Sequence, residues 1–221
     1  MDDRHRANIF SRTLLESGIE QIYVGGKREK SAPLGKKERE TLEALRKEVQ
    51  RCTKCDELVM NRHSVVFGSG NMQARLVFIG EAPGAEEDRQ GLPFVGPAGQ
   101  LLTKMIEAIG LKREEVFIAN VLKCRPPANR SPKPQEIENC EPYLVRQLML
   151  IRPKLICALG AFAAQTILKT TVPISSLRGR VHDYNGIQVI CTFHPAYLLR
   201  NPGEKRKAWE DLKRLRSLLN Q

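Results

Sequence analysis

No stretch of this chain is long and apolar enough to span a bilayer, which excludes a membrane-spanning helix and a membrane partner of that kind. The opening run MDDRHRANIF lacks the apolar centre of a secretory signal, so the expected location is cytoplasmic. In that compartment six cysteines do not read as a disulfide framework. A second C-x2-C pair is also missing; only Cys52 and Cys55 are spaced that way. Negative charge is in short supply, with 25 Asp and Glu against 36 Lys and Arg, a formal balance of +11. Such an imbalance favours a polyanionic partner, nucleic acid before an anionic membrane.

What is present suits one sizeable domain with an appendage: 221 residues, 41% of them hydrophobic. Residues 1–35 mix charge with Gly25, Gly26, Pro33 and Gly35, and carry the basic cluster Lys27, Arg28 and Lys30; they predict a flexible basic extension. Residues 36–221 form the expected catalytic domain. Helical periodicity begins over residues 36–51, where Leu42, Leu45 and Val49 share a face. Four short apolar runs follow, at 76–79, 116–119, 155–159 and 189–192, separated by helical patterns at 100–109, 135–151 and 161–168, with a last helix over 204–219. Apolar strands alternating with helices predict an α/β fold, a three-layer α/β/α sandwich around a mainly parallel four-stranded sheet. Ligands of such sheets bind beyond the carboxyl ends of the strands. Glu81, Asn120 and His194 all fall there.

The stretch GEAPGAEEDRQGLPFVGPAG, residues 80–99, runs from the first strand to a helix and reads either as a loop that holds a ligand or as a solvated acidic loop. Its glycines permit close backbone approach, and the helix start leaves free N–H donors. Glu81, Glu86, Glu87 and Asp88 would repel phosphate, so a neutral planar ligand stacked on Phe94 suits it better. The side-chain amide of Asn120 presents one donor and one acceptor in a plane, able to tell uracil from cytosine. His194, fixed by Pro195, can donate a hydrogen bond to a developing oxyanion. Leu198, Leu199 and Arg200 could push into a duplex or simply begin a helix. Cys52, Cys55, Cys124 and Cys140 could together hold zinc or an iron–sulfur cluster, near the basic residues Lys123, Arg125 and Arg130. Cys157 and Cys191 lie inside apolar strands and read as packing.

With GEAPGAEEDRQGLPFVGPAGQLL at 80–102, NVLKCRPPANR at 120–130, HPAYLLR at 194–200 and those four cysteines, the chain resembles the uracil-DNA glycosylase superfamily, most closely its iron–sulfur-containing family 4. The resemblance implies that Gly80, Glu81, Ala82, Pro83 and Gly84 surround the base and the attacking water. It further implies that Phe94 stacks on uracil, Asn120 reads its polar edge, and Glu87 crowds C5 against the thymine methyl. His194 would bond O2 as charge builds there, with Glu81, Asn120 and His194 the catalytic set. Leu198, Leu199 and Arg200 would enter the DNA, and Cys52, Cys55, Cys124 and Cys140 would hold a structural [4Fe–4S] cluster, zinc being the alternative. The implied partner is uracil-containing DNA, single- or double-stranded, engaged at the nucleoid by a monomer.

One departure matters: Ala82 stands where the best-known branch of the superfamily has an Asp, so no dedicated carboxylate base is evident. Departure of an anionic uracil ahead of water attack tolerates this, because stabilising the anion carries the acceleration. A related branch with Gln at that position and a basic insert before its His makes a covalent link to DNA; neither feature is present here. The expected activity is hydrolysis of the N-glycosidic bond of uracil in DNA, leaving an abasic site. The alternatives are a glycosylase of broader deaminated-base range and a non-catalytic DNA-binding relative.

Overall fold

The computed structural model describes residues 41–221. The expected extension and the first residues of the expected first helix lie outside them. In chain order the elements are α1 (Leu42–Gln50), α2 (Asp56–Asn61), β1 (Ser69–Gly70), β2 (Leu76–Gly80), α3 (Ala85–Gln90), α4 (Pro97–Ala108), β3 (Phe117–Asn120), α5 (Pro134–Ile151), β4 (Leu155–Leu159), α6 (Gly160–Leu168), α7 (Ile174–Leu177), β5 (Val181–Tyr184), β6 (Ile187–Thr192), α8 (Pro195–Arg200) and α9 (Lys205–Leu219). None of these helices is long and apolar enough to cross a membrane.

The strands make one sheet in the order β1-β3-β2-β4-β6-β5. The four expected strands pair in parallel, with Phe78 opposite Ile118 on one side and Cys157 on the other. The sheet has six strands, not four. Antiparallel β1 adds to β3 and antiparallel β5 adds to β6, closing the two edges. Both additions lack a full apolar run. Ser69–Gly70 is only two residues long, and Val181–Tyr184 is partly exposed along its length.

Period-two alternation splits each parallel strand between two cores. Val77 and Ile79 join Phe117, Ala119, Ile156 and Ala158 on one face, covered by α1, α5 and α6. Leu76 and Phe78 join Ile118, Leu155 and Cys157 on the other, covered by α4 and α9. This is the three-layer arrangement, and each fully buried Leu, Ile or Phe contributes roughly 1.5–3 kcal/mol. Cys157 and Cys191 are completely buried, one in each core.

Two features of this frame position the site. The chain leaves β2 toward β3 and leaves β4 toward β6, so a crevice opens beyond the carboxyl ends of the adjacent pair β2 and β4. The buried carboxylate of Asp211 in α9 takes Arg178 Nε and Nη2 and the Gly179 N–H at 3.0 Å, and the Thr192 hydroxyl at 2.8 Å. That network ties α9 to the end of β6, two residues before His194.

Candidate active site at the carboxyl end of the sheet

Beyond β2 the chain makes the turn 81–84 and enters α3. Asp88, fully buried, anchors that helix by accepting the His63 N–H at 3.0 Å and the Ser64 N–H at 3.2 Å. The neighbouring carboxylate, Glu87, accepts the Val95 and Gly96 N–H groups at 2.9 and 3.0 Å through Oε1. Its other oxygen lies 2.8 Å from where a Cβ on Gly84 would stand, so Glu87 spans both ends of the loop. Phe94 sits between them with φ +53°, a left-handed backbone unusual for a residue with a side chain. Its ring packs over Gly80, where a Cβ would lie 2.6 Å from Cζ.

A cleft of about 410 Å³ opens here, lined by Glu81, Ala82, Pro83, Gly84, Glu87, Phe94, Asn120, His194 and Arg200. Gly80 packs directly against Phe94 and Asn120 without itself lining the cleft. Asn120 ends β3 and is 2% exposed, and its Oδ1 has no hydrogen-bond partner among the described residues. A buried acceptor left unmade costs about 1–3 kcal/mol, so this atom is a place for a donor brought by a ligand. The Asn120 backbone carbonyl accepts Lys123 Nζ at 2.8 Å.

His194 caps α8, its Nδ1 accepting the Ala196 N–H at 3.1 Å. The proton of the neutral ring therefore sits on Nε2. Burial, helped by the Arg200 charge, pushes the pKa of this imidazole down to about 4. The ring is neutral at ordinary pH and is a donor at Nε2, with its centroid 5.5 Å from that of Phe94. Gly160 makes room for it, since a Cβ there would stand 3.0 Å from the His194 Cβ. Burial raises the carboxyl pKa of Glu81 above its ordinary value.

The segment expected to enter DNA divides. It lies within the helix α8, and Leu198 turns inward, 1% exposed in the core of α4 and α9, whereas Leu199 is 43% exposed. Leu198 is thus not available to enter a duplex in this conformation. Five cleft residues were not singled out from the sequence: Ala98, Pro126, Asn129, Ala196 and Tyr197. Pro126 and Asn129 belong to the segment KCRPPANR, so their place in the chain was the available signal. Lys123, a basic neighbour of the cysteines in the sequence, is 1% exposed and bonds Gln147 Oε1 at 2.6 Å as well as Asn120. Arg130 is tied to Glu57 at 2.9 Å and to Glu136 at 2.5 Å.

A second, smaller cavity brings together Cys52, Cys55, Cys124 and Cys140, from the α1–α2 corner, the segment after β3 and α5. Among the described residues no three Cys, His, Asp or Glu side chains close on one ion-sized point; the four thiols instead ring a cavity. N–H donors reach three sulfurs: Arg62 Nη1 to Cys124 at 3.1 Å, the Lys123 amide to Cys140 at 3.3 Å and Asn139 Nδ2 to Cys55 at 3.5 Å. Burial nevertheless raises the Cys140 thiol to about 12, so a cationic group is needed to hold it as thiolate. Four sulfurs with N–H donors around a shared cavity fit a polynuclear iron–sulfur group.

The family model described as the uracil DNA glycosylase superfamily matches residues 67–213. The chain is 46% identical over 187 residues to a type-4 uracil-DNA glycosylase of Archaeoglobus fulgidus, covering 81% of this chain and 94% of that one. It is 45% identical over 184 residues to the type-4 enzyme of Thermotoga maritima, covering 81% and 95%. A type-5 uracil-DNA glycosylase of Pyrobaculum aerophilum is 31% identical over 186 residues, covering 69% of this chain and 81% of that one.

Proposed function

The chain belongs to the uracil-DNA glycosylase superfamily, on its type-4 branch, and is a DNA-repair enzyme that excises uracil; from that premise we propose how its own residues do so. The observation that carries the reading is the unpartnered, buried Oδ1 of Asn120 in the lining of the cleft. Uracil brings the matching donor at N3–H, and its O4 accepts from the same amide. Cytosine presents an acceptor at N3 and a donor at N4, the reverse pattern.

The base leaves the stack and lies against the Phe94 ring, with its C5 edge toward Glu87 and the loop it spans, where a thymine methyl has no room. As the C1′–N1 bond breaks, the electron pair passes to the base and charge gathers on O2. The neutral imidazole of His194 donates Nε2–H to that oxygen and stabilises the uracil anion. Glu81, a half-buried carboxylate of raised basicity, holds the water whose oxygen adds to C1′ and takes its proton; the departed uracil anion is then protonated, giving an abasic site and free uracil. Leu199 and Arg200, on the exposed turn of α8, contact the DNA from which the base has come. The active unit in this reading is a monomer.

Cys52, Cys55, Cys124 and Cys140 hold the [4Fe–4S] cluster in this reading, in preference to zinc. When bound, the cluster supplies cross-linking of α1, α5 and the segment after β3, rather than redox chemistry. Asn120 lies four residues before Cys124, so this support bears on the residue that reads the base.

Release of free uracil from single- and double-stranded oligonucleotides, followed by alkaline cleavage, tests the scheme. Wild type is expected to release uracil and to spare cytosine and thymine, while the variant carrying both Asn120→Ala and His194→Ala falls to background. Undiminished release by that double variant refutes the assignment.

A further inference from the structure

We infer that Arg113 is a positioning residue for the stacking ring: its guanidinium clamps the strained backbone that presents Phe94 to the base. This inference rests on the reading of Phe94 as the surface on which uracil lies. Arg113 opens the short 3-10 turn Arg113–Glu115, which follows α4 and precedes β3. From there its Nη2 donates to the carbonyls of Pro93 at 2.7 Å and Phe94 at 2.9 Å, and its Nη1 donates to the Thr103 hydroxyl at 3.0 Å. Thr103 in turn donates to the Gly99 carbonyl at 3.2 Å, so the clamp is anchored in the first turns of α4.

The need for a clamp is visible in the backbone. Phe94 holds φ +53°, a region that residues with a Cβ enter reluctantly. Its carbonyl is pressed against Gly99, where a Cβ would stand 1.9 Å from the oxygen. Opposite charges hold this turn from two sides. The cation of Arg113 takes the carbonyls of residues 93 and 94, and the anion of Glu87 takes the amides of residues 95 and 96. A lysine keeps the charge but lacks the planar fork that spans three acceptors. Without the fork, the turn relaxes toward ordinary φ values and carries the ring away from Gly80 and His194.

The test is a double-variant cycle in kcat/KM for uracil release, with melting curves for every protein. Arg113→Ala and Phe94→Ala are each expected to lose about 10- to 100-fold, the range that follows misplacement by about an ångström. The two changes together are expected to lose no more than Phe94→Ala alone, because Arg113 acts through the ring. Arg113→Lys serves where the alanine variant folds poorly; it is expected to melt like wild type yet lose activity. Millimolar guanidinium ion is expected to restore activity to Arg113→Ala only while Phe94 is present. Losses that multiply in the double variant, or rescue that persists without Phe94, overturn the clamp while leaving the ring's role intact. Full activity of Phe94→Ala overturns the stacking reading itself.

Discussion

Adding a single methyl group at Gly80 displaces two residues of the proposed base site at once. A Cβ there would stand 2.4 Å from Asn120 Oδ1, 2.6 Å from Phe94 Cζ and 2.7 Å from Phe94 Cε2. Ordinary van der Waals contact begins at 3.4 Å, so the amide must retreat by about 1 Å and the ring by slightly less, the scale at which misplacement costs about 100-fold. Gly80 lies in a strand and its φ is not left-handed, so alanine adopts its backbone without strain and the effect is purely steric. The amide cannot follow its backbone away, because Lys123 Nζ holds the Asn120 carbonyl at 2.8 Å. Both displaced groups can yield toward the open cleft, which keeps the stability cost near the low end of the roughly 1–3 kcal/mol typical of overpacking. A 100-fold loss corresponds to about 2.7 kcal/mol in the barrier. Gly80→Ala is therefore expected to fold with a small fall in Tm and to release uracil about 100-fold more slowly in single-turnover assays. Gly203→Ala, whose added methyl meets nothing within 4 Å, is the control and is expected to match wild type. Activity of Gly80→Ala within threefold of wild type refutes the steric reasoning.

Four further outcomes follow from the same site and frame. In the proposed scheme activity needs Glu81 ionised and His194 neutral; burial raises the first pKa and pushes the second down to about 4, so the acid limb of the pH–rate profile is expected to belong to Glu81. In Glu81→Gln the remaining activity is expected to persist to lower pH, falling only as His194 protonates, and an unmoved limb refutes the assignment. The raised pKa has the opposite consequence for stability: the protonated form favours the fold, and that contribution is lost as pH rises through the folded value, so Glu81→Gln should melt higher than wild type in alkaline buffer. Purified wild type is expected to be brown, and Cys140→Ala to lose iron and visible absorbance and to melt lower; a colourless wild type with stoichiometric zinc overturns the cluster. Asp211→Ala leaves Arg178 without its buried partner and is expected to cost about 3 kcal/mol in urea unfolding, a loss below about 1 kcal/mol arguing against the network.

The parts of the molecule legible in the sequence are those whose position the backbone alone decides. The four parallel strands announce themselves as apolar runs because both faces of each are buried, and Glu81, Asn120 and His194 become candidates merely by following those runs. The edge strands escaped for opposite reasons. Ser69–Gly70 has no apolar signal at all, whereas β5 had one: Asn185 and Gly186 take φ of 52° and 83°, the paired left-handed turn that Asn-Gly favours in a hairpin. Leu198 and Leu199 show where pattern fails, since which of two adjacent leucines faces the core depends on how His194 and Pro195 start α8. Lys123 and Arg113 were illegible as site residues because a cation in sequence reads as surface. What draws Lys123 inward is Gln147, 24 residues away, and what occupies Arg113 is a pair of carbonyls about 20 residues back. Those contacts bear on Asn120 and Phe94, two of the candidates the sequence named. Candidate site residues were therefore readable from strand ends and loop composition, while the buried cations that hold their backbone emerge only from the fold. Substitutions at these cations should lower excision more than their distance from the base along the chain suggests.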